Sequence, residues 1–452
     1  MKRTLLCVAA CLSAAALVSS CGVSRKTSEG NNEVSDKNVS VVDGTVADKP
    51  VADNGVNDNM KDLVVSPEDP DHRMDPGFLI LSDDQRSMIL NNNDFALKLF
   101  RNVSGFDSKV ISPFSVTNLM VMLADGAQGR TKEEILETLG WKGADLNEVT
   151  ALCAFLNRNA SAVDPAVTVN VADYIAVNKN FKLKDDYVGF VKDSFDAGVE
   201  SLDFSSPKSA RHINSWCSKH TDGMIPSIID ATDPSAALYM MNAIYFNGSW
   251  SEKFDKSQTK FENFRGYTRD IKKVYMMHNE DEYRYADCND YSVVRIPYGN
   301  GSYSMTVILP SAGKSIPDVL GKLTAKELSE LNGRMEKCIV DLKLPRFTTE
   351  VEQPLNDVVS ALGAPSIFSS NADFGAMSND PLSVSKMFQK AKIEVSEEGT
   401  KAAAVTAAIM VMSALPIDEP RCVNFHADRP FLYYISDSSN GVILFLGQFT
   451  GE

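Results

Sequence analysis

The sequence predicts a single α+β domain, and three patterns carry this prediction. Apolar residues recur with helical spacing over 93–100, and a continuous apolar run over 119–124 indicates a second, buried helix. Residues 167–177 alternate as a strand does, and so does the stretch that follows Gly399. Helices and strands follow no regular βαβ order, and the chain has no Rossmann glycine fingerprint. Mostly antiparallel sheets are therefore expected.

The first 20 residues have the features of a secretory signal. Lys2 and Arg3 precede an apolar run that is too short to span a bilayer stably, and small residues lead to Cys21. The segment 18–21, Val-Ser-Ser-Cys, resembles a bacterial lipobox, in which Cys21 becomes the lipidated first residue. This implies an exported protein, lipid-anchored to the bacterial cell envelope on the periplasmic or surface face of the outer membrane. An ordinary signal with an incidental Cys21 is the alternative.

The segment 21–80 is expected to be a lipidated cysteine followed by a disordered linker. It is rich in Asn, Asp, Ser, Val and Lys, and it has almost no aromatic residues and no usable period. Such a segment cannot bury enough apolar area to offset the entropy of ordering. The expected organisation is a signal over 1–20, this linker over 21–80 and one globular domain over 81–452.

The charge and the cysteines exclude several classes of function. A formal net charge of -15 argues against nucleic-acid binding, which needs Lys and Arg against phosphates. It also argues against electrostatic binding to anionic lipid, so membrane contact is expected only through the anchor. Of the eight cysteines, five lie beyond Cys21, and their wide spacing and odd number argue against a disulfide framework. No CxxC pair or His-Cys cluster suggests a metal, and no cofactor is expected.

Several separate segments of the domain carry recognisable motifs. Ser112-Pro113-Phe114-Ser115 opens the second helix, with Ser112 as a candidate N-cap and Pro113 in the first turn. The other motifs are INSWCSKHTDGMI at 213–225, MNAIYFNGSW at 241–250, LKLPRF at 342–347, ADFGAMS at 372–378, FHADRPF at 425–431 and LFLG at 444–447.

The segment 397–415 reads EEGTKAAAVTAAIMVMSAL. Its first half has too few large residues for a buried helix, and it lacks the Pro, Asn and Asp of an ordinary loop. One set of alternate positions is uncharged and small or apolar: Thr400, Ala402, Ala404, Thr406, Ala408, Met410 and Met412. Gly399 permits a turn where this pattern begins. We infer a segment that can exist both as an exposed loop and as a sheet strand.

Together these segments resemble the serpin family from about residue 93 to residue 449. The resemblance implies a serpin fold with three mixed or antiparallel sheets, eight or nine helices and an exposed reactive-centre loop. It implies a hinge of Glu397, Gly399, Thr400, Ala402, Ala403, Ala404 and Thr406. It also implies a shutter of Ser112, Ser115, Asn242 and Gln389, with Trp250 in the breach.

Gln389 departs from many serpins, which have a histidine in its place. A glutamine amide can still bridge to Asn242 and to Ser112 or Ser115. The pH sensitivity that a histidine would supply is lost.

No enzymatic constellation is found in the sequence. The five histidines form no HExxH motif, and there is neither a GxSxG elbow nor a Walker loop. His220 lies near Asp222, but both belong to the motif at 213–225 and are interpreted as structural. The protein is not expected to be an enzyme.

The resemblance implies instead a monomeric suicide inhibitor of serine-type endopeptidases, with cysteine-type enzymes as a further class. The target would cleave the exposed loop, and the segment from Thr400 onward would enter the main sheet. Counting from Gly399 as in inhibitory relatives places the scissile bond between Ser413 and Ala414, with Met412-Ser413 as the second candidate. Small and apolar residues there predict elastase-, chymotrypsin- or subtilisin-like targets, and papain-like enzymes are a further candidate. The alternative is a non-inhibitory serpin-fold binding protein on the cell envelope.

Overall fold

The computed structural model describes residues 80–267, 270–400 and 421–452, all of which belong to one compact unit. Within these ranges the chain forms nine α-helices: α1 (Asp83–Val103), α2 (Pro113–Gly126), α3 (Gly129–Thr138), α4 (Leu146–Asn159), α5 (Asp185–Phe195), α6 (Pro207–His220), α7 (Ile316–Leu320), α8 (Ala325–Arg334) and α9 (Asn356–Leu362). None of these helices has the length and apolar character that a membrane span requires.

The same ranges contain fifteen β-strands: β1 (Lys109–Ile111), β2 (Val167–Asn178), β3 (Gly198–Leu202), β4 (Leu238–Ser249), β5 (Lys260–Arg265), β6 (Ile271–Asp287), β7 (Tyr291–Tyr298), β8 (Tyr303–Pro310), β9 (Glu336–Pro345), β10 (Phe347–Pro354), β11 (Val384–Ser396), β12 (Gly399–Thr400), β13 (Cys422–His426), β14 (Phe431–Asp437) and β15 (Ile443–Phe449). The α+β class expected from the sequence is confirmed.

The two helices that the sequence predicted most directly begin at side-chain caps. A capping box of Ser82 and Gln85 starts α1 ten residues before the apolar repeat, because each side chain accepts the other's backbone N–H. Ser112 caps α2 by accepting from the backbone N–H of Ser115 at 3.3 Å, with Pro113 in the first turn, as predicted. Helix α2 is buried along nearly its whole length, so it lies inside the molecule.

In the described part of the chain, the main sheet has six strands in the order β10-β11-β12-β4-β2-β3. Strand β4 pairs antiparallel with β2 along its whole length, and it pairs in parallel with β11 from Leu238 opposite Val384 to Tyr245 opposite Lys392. Helix α2 packs on one face of this sheet. Helix α6 packs on the other face, against Tyr174 and Ala176 of β2.

The remaining nine strands form a single hydrogen-bonded network. One group is β1-β15-β14-β8-β7, and a second group is β5, β6, β9 and β13. Among the described residues, the two groups are joined only where Arg284–Asp287 of β6 pairs with β7. The three groups of strands implied by the resemblance are therefore present, and the long strand β6 connects two of them.

Candidate functional site: the fork and the shutter

Strands β4 and β11 separate near one end of the main sheet, and β12 lies between them. Their parallel pairing ends at Tyr245 with Lys392. Beyond that point Thr400 pairs antiparallel with Gly248 of β4 and with Val395 of β11. We call this region, β12 with the ends of β4 and β11, the fork. The predicted hinge is therefore already within the sheet as far as Thr400.

Gly399 satisfies two requirements of the fork that other residues would not meet. Its φ of 142° lies where residues with a Cβ are strained. A Cβ at this position would collide with the carbonyl oxygen of Gly248 and would lie 2.7 Å from Cα of Ser249. The backbone of β12 can approach β4 this closely only because residue 399 is glycine.

Thr400 is completely buried, and its hydroxyl lies 2.7 Å from the hydroxyl of Tyr298. The Tyr298 ring stacks on Trp250 with centroids 4.3 Å apart, and burial raises the pKa of Tyr298, which keeps its phenol neutral. Trp250 donates its indole N–H to the carbonyl of Ser396 at 2.8 Å, and its backbone N–H to that of Glu398 at 3.1 Å. Trp250, the predicted breach residue, thus contacts both sides of the fork.

Two glutamates hold the chain just before the fork. Glu397 is buried, accepts a hydrogen bond from Thr259 at 2.8 Å and lies 3.7 Å from the guanidinium of Arg346. Glu398 forms ion pairs with Lys256 at 2.8 Å and with Lys253 at 2.9 Å, which lower the pKa of its carboxyl group. We call these contacts of Glu397 and Glu398 the hinge clamp.

The four predicted shutter residues meet at the N-terminus of α2. Gln389 accepts from the backbone N–H of Ser112 at 2.7 Å and donates to the carbonyl of Ser112 at 3.0 Å. The same amide donates to Oδ1 of Asn242 at 3.1 Å, so both of its N–H bonds are used. Ser112 donates its hydroxyl to Ser115 at 3.1 Å. The link between Gln389 and Asn242 crosses from β11 to β4 and ties these two strands together.

A fifth member of this network, Asp173, was not predicted. Its Oδ1 accepts from the side-chain amide of Asn242 at 2.8 Å, and the residue is 1% exposed. Burial raises the pKa of Asp173 from 3.8 to about 7, and the hydrogen bond from Asn242 opposes this shift. Asp173 is the only carboxylate in the predicted strand 167–177, which was the available signal in the sequence.

The remaining predicted residues lie outside the described part of the chain. Cys21 falls in 1–79, and the rest fall in 401–420: Ala402, Ala403, Ala404, Thr406, Met412, Ser413 and Ala414.

The histidines that the structure describes have structural contacts. His220 stacks on Trp216 with centroids 4.1 Å apart and contacts the carbonyl of the same residue, in keeping with its structural interpretation. Asp341 of β9 lies between His278 of β6 and His426 of β13, at 2.8 and 3.1 Å. Burial would raise the pKa of Asp341, but the contacts with these two histidines lower it. Within 80–267, 270–400 and 421–452 no group of three or more metal-binding side chains is found.

Comparison with known proteins assigns the chain to a family. A family model described as serpin (serine protease inhibitor) matches residues 90–451. A serpin-like protein of Thermococcus kodakarensis is 31% identical over 374 residues, which cover 82% of this chain and 87% of that protein. The leukocyte elastase inhibitor of Sus scrofa is 32% identical over 373 residues, which cover 79% and 97%. The solved structure of thyroxine-binding globulin with thyroxine matches with a TM-score of 0.73 at 26% identity, covering 80% and 98%. This chain belongs to the serpin family.

We expect Gly399→Ala to destabilise the protein more than a matched control, Gly313→Ala. Gly313 also has a positive φ, of 82°, but a Cβ there meets no atom within 4 Å, so only the backbone strain of about 1 kcal/mol applies. The variant at 399 adds the collision with β4 and expels β12 with its Thr400-Tyr298 hydrogen bond. Urea unfolding measures both free energies, and equal losses in the two variants would contradict the packing at the fork.

Proposed function

We propose that this serpin inhibits endopeptidases as a suicide substrate, and that its cleaved loop enters the main sheet between β4 and β11. Loop insertion into the main sheet is the known mode of strand addition in serpins. The observation that carries the proposal for this chain is the position of Thr400, which already pairs with both strands in antiparallel register. The hinge therefore begins on the path that insertion would follow.

The register at the fork leads the loop into the shutter. Counting six residues onward from Thr400, and six residues back along β4 and β11, brings Thr406 opposite both Asn242 and Gln389. A threonine hydroxyl can donate to one amide oxygen and accept from the other amide, so it would replace their direct hydrogen bond. Arrival at Thr406 would therefore break the link between the two strands without leaving their amides unpaired.

Side-chain size supports the same path. Even-numbered positions of an inserted segment would share the buried face of Thr400, because side chains alternate along a strand. Those positions are Ala402, Ala404 and Thr406, which are small and uncharged. Family members that have lost inhibition often carry bulky, charged or proline residues in the hinge, so these residues favour inhibition.

Insertion would also be favourable in energy. Each new residue would pair on both sides with antiparallel strands, in place of one parallel ladder between β4 and β11. Each added backbone hydrogen bond contributes about 0.5–1.5 kcal/mol net. A segment of about fourteen residues at about 3.3 Å per residue would carry a tethered protease on the order of 45 Å. We propose that this displacement deforms the acylated protease before water hydrolyses the ester.

The residues at the proposed scissile bond, Ser413 and Ala414, suit a small or apolar pocket, and Met412 before them suits the same targets. Elastase-, chymotrypsin- and subtilisin-like enzymes are therefore the proposed partners, with papain-like enzymes as a further class. Similarity to an elastase inhibitor supports this choice. Arg421 is a poor trypsin-type site, because its guanidinium bonds to Asp287 at 2.6 Å and lies over the ring of Tyr285.

Incubation of the exported chain with pancreatic elastase should yield a complex that survives SDS, together with a C-terminal fragment. N-terminal sequencing of the fragment should give a start at Ala414, or at Ser413 for the second candidate bond. Cleavage at this bond with no SDS-stable complex would overturn the inhibitory proposal.

That outcome would favour the second candidate, a non-inhibitory binding protein. A surface cleft of about 330 Å³ between α1, α8 and the turn after β14 is the observation that favours it. Arg86 and Arg295 line the cleft together with the apolar Leu328 and Ile443. A fold relative, thyroxine-binding globulin, is itself described as a complex with thyroxine.

Replacing Ala402 with Arg should convert the inhibitor into a substrate, whereas Arg at Ala403 should not. Insertion would bury an unpaired charge at 402, which costs several kcal/mol, and each 1.4 kcal/mol slows insertion about tenfold. Residue 403 would lie opposite Tyr245 and Lys392, on the face where Lys392 and Glu394 form an ion pair. The ratio of complex to cleaved product measures the partition. Equal ratios of complex to cleaved product in the two variants would contradict the proposed insertion path.

We also propose that the mature chain begins at Cys21 and is held on the cell envelope by acyl chains attached there. Expression in bacteria supplied with labelled palmitate should label the wild-type chain, and Cys21→Ala should remain unlabelled and leave the membrane fraction. Equal labelling of both chains would rule out Cys21 as the attachment site. Elastase complex formation serves as the control for folding in this variant.

A further inference from the structure

A polar row crosses the main sheet between two apolar clusters. Asp173, Asn242, Gln389 and Gln353 are successive register partners on β2, β4, β11 and β10. On one side of the row lie Ile175, Met240 and Met387, and on the other side lie Ile244 and Ala391, which belong to a separate cluster. Asp173 is the only ionisable residue in the row. Its position is notable because the proposed insertion must separate β4 from β11 within this row.

The carboxyl group of Asp173 is poorly solvated in the closed sheet. Oδ1 accepts one hydrogen bond, from Asn242, and Oδ2 is buried with no hydrogen-bond partner among the described residues. A buried carboxylate with one hydrogen bond is strongly disfavoured relative to its neutral form. Opening of the sheet at the row would let water reach the carboxyl group and would remove this penalty.

We infer that Asp173 makes opening of the main sheet between β4 and β11 depend on pH. The sheet opens more readily when the carboxyl group of Asp173 is charged. This inference deepens the proposed insertion mechanism and rests on it. Asp173 acts through Asn242. The side-chain N–H of Asn242 donates to Asp173, and the side-chain oxygen of Asn242 accepts from Gln389. It is therefore a positioning residue for insertion. The pH sensitivity that Gln389 does not provide is supplied from β2, on the far side of β4.

The direction of the effect follows from the proton balance. Burial raises the pKa of Asp173 from 3.8 to about 7, so between these values the closed sheet holds a proton that a solvated Asp173 has lost. The closed state is therefore fully stabilised below about pH 4, and it loses this stabilisation as the pH rises through about 7.

Among the ionisable groups on the neighbouring elements, one other is a candidate for the pH dependence of sheet opening. The lysines of β11 and the glutamates of β10 alternate with Gln389 and Gln353, so they lie on the opposite face of the sheet, and Lys109 is the charged residue of β1. In α4 and α5, burial raises the pKa of Cys153 to about 12 and raises that of Tyr187, so both stay neutral. The remaining group, Asp125 of α2, is half-buried and accepts from Thr150 at 2.8 Å, and its burial raises its pKa to about 7.

Asp125 provides the matched control. It is ten residues from Ser115 along α2, or about 15 Å, so it lies far from the row. Asp173→Asn keeps the shape and the acceptor for Asn242 and imitates the protonated form at every pH. Asp125→Asn removes a carboxyl of the same raised pKa from the same side of the sheet.

The experiment follows insertion without a protease. A fluorescein-labelled synthetic peptide of residues 401–413, the part of the path not already filled by Thr400, is mixed with each intact chain at pH 5.5 and pH 8, and incorporation is followed on native gels. The wild-type rate should rise at least roughly tenfold at pH 8, because the charged fraction of a group with a pKa of about 7 rises about thirtyfold. The rate of the D173N variant should change less than about twofold, and the D125N variant should keep the wild-type profile.

Three outcomes would overturn the inference. These are an unchanged pH profile in D173N, a flat profile in the wild type, and a profile that is lost only in D125N. Incorporation in no chain at either pH would instead overturn the proposed function, and the inference with it. As a check by spectroscopy, ¹³C NMR of aspartate-labelled protein should show a carboxyl that titrates near pH 7 in the wild type and in D125N and that is missing from D173N. Spectra in which no carboxyl titrating above pH 5 is lost in D173N would contradict the inference.

Discussion

The pairing of β4 with β11 is the constraint on which the rest of the structure depends. These strands are joined by a parallel ladder that ends at Tyr245 and Lys392, and by the amide link between Asn242 and Gln389. Beyond the ladder they diverge and accept Gly399 and Thr400 as a short antiparallel strand. The sheet is therefore closed along most of its length and already opened at one end.

The hinge is positioned at the fork by three kinds of contact: close backbone packing, a buried hydrogen bond and ion pairs. Gly399 allows close approach of two backbones, and the buried pair Thr400-Tyr298 fixes the depth of entry. Before the fork, Glu398 holds the chain by charge, since it pairs with two lysines that are themselves partly exposed. Surface ion pairs of this kind contribute little and weaken with salt. The buried contacts, including that of Glu397 with Thr259, therefore contribute more to the position of the hinge than the ion pairs of Glu398 do.

Part of this site could be predicted from a local pattern in the sequence, and part of it from the family resemblance. Alternation after Gly399 predicted an uncharged face, and the first residue of that face, Thr400, is buried. Trp250 lies at the fork, and the shutter residues are together as the family motifs implied. Asp173 was missed because its role depends on its hydrogen bond with Asn242, sixty-nine residues away, and no local pattern reveals that contact. The joining of two strand groups by β6 was missed for the same reason, since it rests on a four-residue pairing at one end of a long strand.

The central claim is that the closed sheet is less stable than the same sheet with the loop inserted. Scanning calorimetry of the intact chain and of the chain cleaved between Ser413 and Ala414 tests this claim directly. Insertion adds backbone pairing on both sides of the new strand, so the cleaved form should melt well above the intact form. A cleaved form that melts at or below the temperature of the intact form would contradict the account.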